Sequence, residues 1–373
     1  MKKLNHQGKG YKVKLNIAVV GCGYWGPNLI RNFSQLSNCN VFACCDLADE
    51  KLGRIKSLYP STMVTKNFDE ILKNPDVDAI AIATPVYTHR DLAKKVLAHG
   101  KHVMVEKPLA SSVDQCVELI DLAEKNNKAL MVGHTFEYTS AVNKAKEIIQ
   151  SGELGDIYYI RSVRANLGLF QPDINVIWDL APHDLSIILY LLDEFPIGVN
   201  GQGKAHFNPE IEDVANITLS FPNGTIAFVH NSWLDPDKIR KITIVGSKKM
   251  LVYDDISQNE KIKIYDKGVE APPYYNSFAE FHFSYRYGDI YVPRLNQYEP
   301  LQKECEHFVD CCLNDKQPKS DGYSGLRVVS ILESANKSIR NGGGKQPISF
   351  EKSVAPKTRV SKPLQYDVAV GMN

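Results

Sequence analysis

The sequence predicts an α/β domain on a parallel sheet, followed by an α+β domain with a large, mostly antiparallel open sheet. Three observations carry this. Apolar runs alternate with helical patterns over the first third, which implies right-handed crossovers and parallel strands. Strands joined by turn signals such as Pro222-Asn223-Gly224 dominate the middle. A length of 373 residues fits two domains, at about 150 residues each. The expected division is a flexible N-terminus at 1–13, a first domain at 14–134, a second at 135–350 and a tail at 351–373.

In chain order, Leu15–Val20 is an apolar strand ended by glycines, and Pro27 to Leu36 has helical spacing. Val41–Cys45 is the next strand and Leu47–Leu58 the next helix. Ala79–Ala83 is followed by an Arg90–Ala98 helix that stops at Gly100. Val103–Val105, a Val113–Asn126 helix and Ala129–Val132 complete the first domain. Then come an Ala141–Gln150 helix, an Ile157–Val163 strand and a helix over Pro182–Leu192. Strands follow at Asp213–Ser220, Thr225–Ser232, Lys241–Val245 and Met250–Tyr253. Pro300–Cys312 and Tyr323–Arg340 are closing helices. The Tyr- and Phe-rich stretch from Pro272 to Pro293 lacks periodicity and reads as a loop or interface segment.

Composition narrows the partners. The formal net charge is +1, from 44 Lys+Arg and 43 Asp+Glu, so no bulk basicity points to nucleic acid. The longest apolar stretch, Leu185 to Leu192, is far short of the ~18–20 residues a membrane span needs. The lysine-bearing N-terminus lacks the apolar segment of a secretory signal. Eight cysteines without CxxC spacing read as reduced thiols of a cytoplasmic protein, with Cys44 and Cys45 pointing to opposite faces of a strand. The spacing of His307 with Cys305, Cys311 and Cys312 matches no zinc pattern, and no metal site is expected.

The chemistry starts at Gly21-Cys22-Gly23-Tyr24-Trp25-Gly26, between a strand and a helix. In that context the spacing is a Rossmann dinucleotide fingerprint: glycines allow a tight turn, and helix N–H groups face a pyrophosphate. Asp46, at the end of the second strand, is placed to accept hydrogen bonds from the adenosine ribose and to repel a 2′-phosphate. No Arg directly follows it, so NAD is favoured over NADP. Thr84 and Pro85 end a third strand at the ligand-binding edge. Lys107, between Glu106 and Pro108 at another strand end, is placed to stabilise alkoxide character during hydride transfer.

These pieces resemble the Gfo/Idh/MocA oxidoreductase family. The resemblance runs through GCGYWG, TPVYTH at Thr84–His89, GKHVMVEKPLA at Gly100–Ala110, WDLAPHDLSI at Trp178–Ile187, Ser232–Lys249 and Asp321–Ser338, covering about residues 14–345. It implies that Lys107 is the catalytic lysine, that Glu106 contacts the nicotinamide-side ribose, and that the Lys107–Pro108 peptide is cis. Tyr24, Trp25 and His89 join the cofactor side. It also implies an acid–base element at Asp179 and His183. Pro182 and Asp184 suit a helix first turn, which would place His183 near a helix N-terminus that disfavours the imidazolium. His183 is then the base for the substrate hydroxyl and Asp179 its companion, with Arg164 and Asn166 as further substrate contacts.

Within the family, the GYWGPNLIRNF and WDLAPHDLSIILYLL runs look most like the subset that oxidises C3 of UDP- or dTDP-linked hexoses in bacterial glycan pathways. Cyclitol or free-sugar oxidation, a hydrolase using transient oxidation, and a non-catalytic NAD and sugar-nucleotide sensor are the competing readings. The resemblance further implies a homodimer or homotetramer paired through the open sheet of the second domain.

Overall fold

The computed structural model describes residues 2–4, 10–12, 14–270 and 283–348. The expected tail at 351–373 lies outside these residues. At the N-terminus, where flexibility was expected, β1 (Lys2–Leu4) pairs antiparallel with β2 (Gly10–Lys12).

The first domain is a six-stranded parallel sheet. Its strands are β3 (Leu15–Val20), β4 (Cys39–Cys45), β5 (Met63–Thr65), β6 (Ala79–Ile82), β7 (His102–Glu106) and β8 (Leu130–Gly133), in spatial order β5-β4-β3-β6-β7-β8. Order reverses between β3 and β6, which opens a crevice at their carboxyl ends. Helices α1 (Gly26–Gln35), α2 (Asp49–Leu58), α3 (Phe68–Lys73), α4 (Val86–Ala98) and α5 (Val113–Lys125) cover both faces. The short β5 and α3 were not anticipated, since three- and six-residue elements carry little periodicity. Helix α4 starts a turn before the expected Arg90, right after Pro85. Cys44 and Cys45 do point to opposite faces, each in a different apolar core.

The second domain carries α6 (Ser140–Gln150), β9 (Ile157–Ala165) and α7 (Val176–Leu192). Strands β10 (Gly198–Lys204), β11 (Val214–Ser220), β12 (Ile226–Ser232), β13 (Ile239–Gly246), β14 (Met250–Asp254), β15 (Ile262–Glu270) and β16 (Ser284–Tyr291) follow. Helices α8 (Pro300–Asn314) and α9 (Gly322–Arg340) lead to β17 (Gln346–Pro347). The nine strands lie in the order β16-β15-β14-β13-β9-β12-β11-β10-β17. Every pairing is antiparallel except β9 with β12. The described end of the aromatic stretch is thus an edge strand, β16. Three glycines and two amides in β10 (GVNGQGK) hid that strand from a hydrophobic pattern.

Helix α8 returns to the first domain. Its buried Leu301, Cys305, Phe308, Val309 and Cys312 share a core with Leu29, Ile30 and Phe33 of α1, and Phe308 meets Phe33 edge-on at 6.4 Å. This packing ties the two domains across the crevice.

One correction bears on the site. Helix α7 begins at Val176, six residues before the expected start, with the Asn175 side chain accepting from Trp178 N. Pro182 is therefore inside the helix. It supplies no N–H to the Trp178 carbonyl and crowds that turn. Asp184 is no first-turn acid either. It is 1% exposed and accepts from Arg164 Nε, Ser162 Oγ and Asn231 Nδ2, which fastens α7 to β9 and β12.

Candidate active site

The glycine turn follows β3. Gly21 has φ +94°, and a Cβ there would collide with the Ala83 carbonyl. A Cβ on Gly26 would collide with the Gly21 carbonyl. Gly23 is different: a Cβ there would have only Lys51 Nζ nearby, at 3.9 Å. Two glycines thus close the turn and the middle one leaves an open face. Asp46 braces it, with Oδ2 accepting from Cys22 N at 2.7 Å and Oδ1 from Ala48 N at 2.9 Å. Tyr24 is fully out in solvent at 93% exposure, while the Trp25 indole Nε1 is buried with no hydrogen-bond partner.

At the ends of β6 and β7 the chain places Thr84, Pro85, Glu106 and Lys107. The Lys107–Pro108 peptide is cis. His89 reaches back from α4, with Nδ1 2.9 Å from the Pro108 carbonyl and Nε2 2.8 Å from the Thr84 carbonyl. Both ring nitrogens therefore face backbone carbonyls, of which a neutral ring donates to one, and His89 is wedged between these two turns. Glu106 Oε1 is buried without a partner. Gly133 makes room for it, because a Cβ there would lie 2.9 Å from Glu106 Oε2. Burial pushes the Glu106 carboxyl up to about 7, against the neighbouring Lys107 ammonium.

Across the crevice stands the first half of α7. Lys107 Nζ donates to the Asp179 backbone carbonyl at 2.8 Å and lies 3.7 Å from Asp179 Oδ1. The other carboxylate oxygen, Oδ2, accepts from Trp233 Nε1 at 3.0 Å. Trp233 follows β12 and is 1% exposed. Burial lowers the Lys107 ammonium below its usual value, and Asp179 and Glu106 oppose this.

His183, one turn on from Asp179, meets Phe136 edge-on at 5.0 Å and has Nδ1 buried without a partner. Its pKa lies well below 6.5, first through burial and then through the Lys107 and Arg164 cations. The expected cause, a helix N-terminus, does not apply, since His183 is two turns inside α7. Arg164 is 4% exposed. Its Nε is committed to Asp184, and its guanidinium lies 4.7 Å over the Phe136 ring. It sits behind His183 as a buried cation. Asn166 lies beside Trp233 at the end of β9; a Cβ on Gly168 would be 3.0 Å from Trp233 Cδ1 and 3.2 Å from Asn166 Nδ2.

Several residues here were not singled out by the sequence. Trp233 fixes Asp179. Glu304 of α8 is buried, with Oε2 accepting from Thr135 Oγ1 at 2.7 Å and Oε1 unpartnered. His134 has both ring nitrogens buried and unpartnered, and burial drives its pKa to about 3. The Ser232–Lys249 run of the resemblance contains Trp233 but gives it no role, and no local motif marks Glu304; each reaches the crevice from a distant element. Among the described residues, no group of three or more His, Cys, Asp or Glu is arranged to hold a metal.

Family comparisons now decide the class. The oxidoreductase-family model with an NAD-binding Rossmann fold matches residues 15–134, and the GFO/IDH/MocA C-terminal domain model matches residues 142–252. The chain belongs to the GFO/IDH/MocA oxidoreductase family. A UDP-N-acetylglucosamine 3-dehydrogenase of Acidithiobacillus ferrooxidans is 26% identical over 85% of this chain and 95% of that one. A myo-inositol 2-dehydrogenase of Thermotoga maritima is 22% identical over 87% and 96%. Among solved structures, an aldose–aldose oxidoreductase from Caulobacter crescentus superposes with a TM-score of 0.76 at 22% identity, covering 90% of this chain and 99% of that one. The GFO/IDH/MocA fold is thus shared over both sheets. The residues present fit a dinucleotide: an open glycine face, a braced carboxylate at Asp46, and buried unpartnered Trp25 Nε1 and Glu106 Oε1 around one crevice. No helix among the described residues is long and apolar enough to cross a membrane.

Proposed function

We propose that this GFO/IDH/MocA oxidoreductase oxidises a sugar hydroxyl to a ketone with NAD, acting on C3 of a UDP- or dTDP-linked hexose in bacterial glycan biosynthesis. The observation that carries the reaction is the Lys107–Asp179 pair with His183 one helical turn away, at the crevice beside the glycine turn. NAD supplies the acceptor for the hydride leaving the carbinol carbon. Gly21, Gly23, Gly26, Asp46, Thr84, Pro85 and Glu106 are the residues that would hold it, with Trp25 beside them; Asp46 on the ribose favours NAD over NADP.

His183 takes the hydroxyl proton. Its surroundings keep the ring neutral near pH 7, which a base requires. Lys107 donates to the same oxygen as negative charge builds on it, and its enclosure strengthens that interaction. Asp179 holds the ammonium in place and is itself held by Trp233. Asn166, and Arg164 behind His183, complete the substrate side.

The nucleotide-sugar reading is supported by the UDP-N-acetylglucosamine 3-dehydrogenase relative. The cyclitol reading is supported by the inositol dehydrogenase relative. The test is NADH absorbance on adding UDP-N-acetylglucosamine, its dTDP counterparts, myo-inositol and free aldoses to the full chain. A rise with a nucleotide sugar alone upholds the proposal. A rise with inositol or a free sugar moves the substrate class, and NAD binding with no turnover of any of them favours a sensor.

We further propose a cytoplasmic homodimer or homotetramer. Helices α7 and α9 cover one face of the nine-stranded sheet. The other face exposes Tyr159, Ile226 and Phe228, with Tyr159 and Phe228 edge-on at 6.2 Å. An apolar open face of this kind is suited to a second copy. Sedimentation of wild type against Phe228→Glu checks it: a monomeric wild type would end this proposal.

A further inference from the structure

The strand beside β9 carries a cation that the reaction does not use. Arg240 of β13 is paired in register with Arg164 of β9. Directly opposed residues of an antiparallel pair project to one face, and Arg164 meets Asp184 of α7 on that face. Arg240 therefore lies on the helix-covered side of the nine-stranded sheet, next to the buried Arg164, and its charge reaches His183. Lys238 lies just before the strand and is exposed.

Neighbouring cations need anions, and the described residues supply few. Arg164 has Asp184. Arg240 faces Asp255, with Nη1 3.6 Å from Oδ2, while the other oxygen of Asp255 already accepts from the Tyr253 hydroxyl and Lys261 Nζ. Among the described residues, Lys238 has no carboxylate within 4 Å. Asp235 turns back on its own loop and accepts from Asp237 N. A cleft of about 300 Å³ at this strand end is lined by Lys238, Arg240 and Lys241, and its lining carboxylate, Asp254, is paired with Lys241 at 3.2 Å. The Arg240 side chain is 39% exposed. A loose, exposed pair of this kind holds weakly, so the guanidinium is available to a stronger anion.

We propose that Arg240, with Lys238 beside it, binds the diphosphate of a nucleoside diphosphate sugar whose ring lies against Lys107 and His183. A diphosphate brings negative charge to a place where cations are in excess. The planar guanidinium matches phosphate oxygens with paired N–H donors. In such a sugar the diphosphate hangs on C1, with C2 alone between it and C3, so the anion and the oxidised carbon lie within one sugar ring of each other. Inositol and free aldoses have no anion to offer this cation. This rests on the reading of the crevice as a nucleotide-sugar 3-dehydrogenase site. Arg240 touches no reacting atom; it is a specificity-determining residue.

The test is calorimetric binding of UDP and of uridine to the full chain with NADH bound, in wild type, Arg240→Met and Arg240→Lys. Wild type should bind UDP at least about 10-fold more tightly than uridine, the scale of a hydrogen bond to a charged group. Arg240→Met should weaken UDP by about 10-fold or more and leave uridine within about 3-fold. Arg240→Lys keeps the charge without the paired donors and should hold UDP between the two, a readout that stands even if the methionine variant does not fold. Equal wild-type affinity for UDP and uridine, an equal loss of both in Arg240→Met, or unchanged UDP affinity in that variant would each overturn the proposal. NADH absorbance with UDP-N-acetylglucosamine keeps the two readings apart. UDP held through Arg240 with no nucleotide sugar oxidised upholds the subsite and removes the reaction. Oxidation with the same kcat/KM in Arg240→Met overturns the subsite alone.

Discussion

Trp233 Nε1 donates to Asp179 Oδ2 at 3.0 Å, joining a residue after β12 to the helix that carries the proposed acid–base element. The bond leaves Asp179 Oδ1 toward Lys107, at 3.7 Å. Trp233 thereby decides which carboxylate oxygen faces the ammonium. Trp233→Phe keeps the buried ring and removes the donor. It should lower kcat about 10-fold, the size of a hydrogen bond to a charged group, while Tm shifts by only a few degrees. If Tm collapses along with kcat, Trp233 is a packing residue and not a positioning one.

Lys107→Ala should retain NADH binding and lose turnover by at least ~10²-fold. Single-turnover absorbance separates the chemical step from binding. A variant that turns over at the wild-type rate would take Lys107 out of the reaction.

His183→Asn should cost turnover on a similar scale, at least ~10²-fold. With the His183 pKa well below 6.5, kcat/KM of Glu106→Gln, which lacks the carboxyl held up to about 7, should stay level as pH falls through 6.5. An acid limb centred at 6.5 would mean that His183 is not the base. Stability follows the same shift. The unfolded chain binds the His183 proton below about pH 6.5 and the folded chain does not, so stability is full above 6.5 and falls as pH drops. The same holds for His134 down to its folded value of about 3. Each contributes up to about 1.4 kcal/mol per pH unit, and urea titrations of His183→Asn between pH 6.5 and 5 should show a shallower fall.

Arg164→Met strips a buried carboxylate of its partner. Asp184, 1% exposed, keeps only Ser162 and Asn231 as donors. Removing one partner of a buried pair costs about 3–5 kcal/mol, and denaturant midpoints should report it. The double change Arg164→Met with Asp184→Leu should recover much of the loss. Failure of the double variant to recover any stability would show that Arg164 acts through something besides Asp184.

Much of this protein is legible along the chain, for reasons of local chemistry. The glycine turn, Asp46, and the Glu106-Lys107-Pro108 strand end lie within short stretches whose residue types match what tight turns and strand termini need. The parallel sheet follows from alternating runs that admit one handedness of crossover. The start of α7 was not legible, because Asn175 caps the helix and the Arg164–Asp184 pair fastens it, and both outweigh the tendency of Pro182 to begin one. β10 and β16 lack a hydrophobic period and are strands because their neighbours pair with them.

What the sequence determines by itself is the candidate cofactor cradle and the identity of the groups proposed to do chemistry, since these are local in the chain. What the tertiary structure decides is their electrostatic state and their restraint. Trp233 reaches Asp179 across 54 residues, Glu304 reaches the crevice from α8, and Lys51 is set against Asp46 and Gly23 by the packing of one helix on one strand. Burial and the distance between charges are properties of the folded chain, and no spacing along the sequence encodes them.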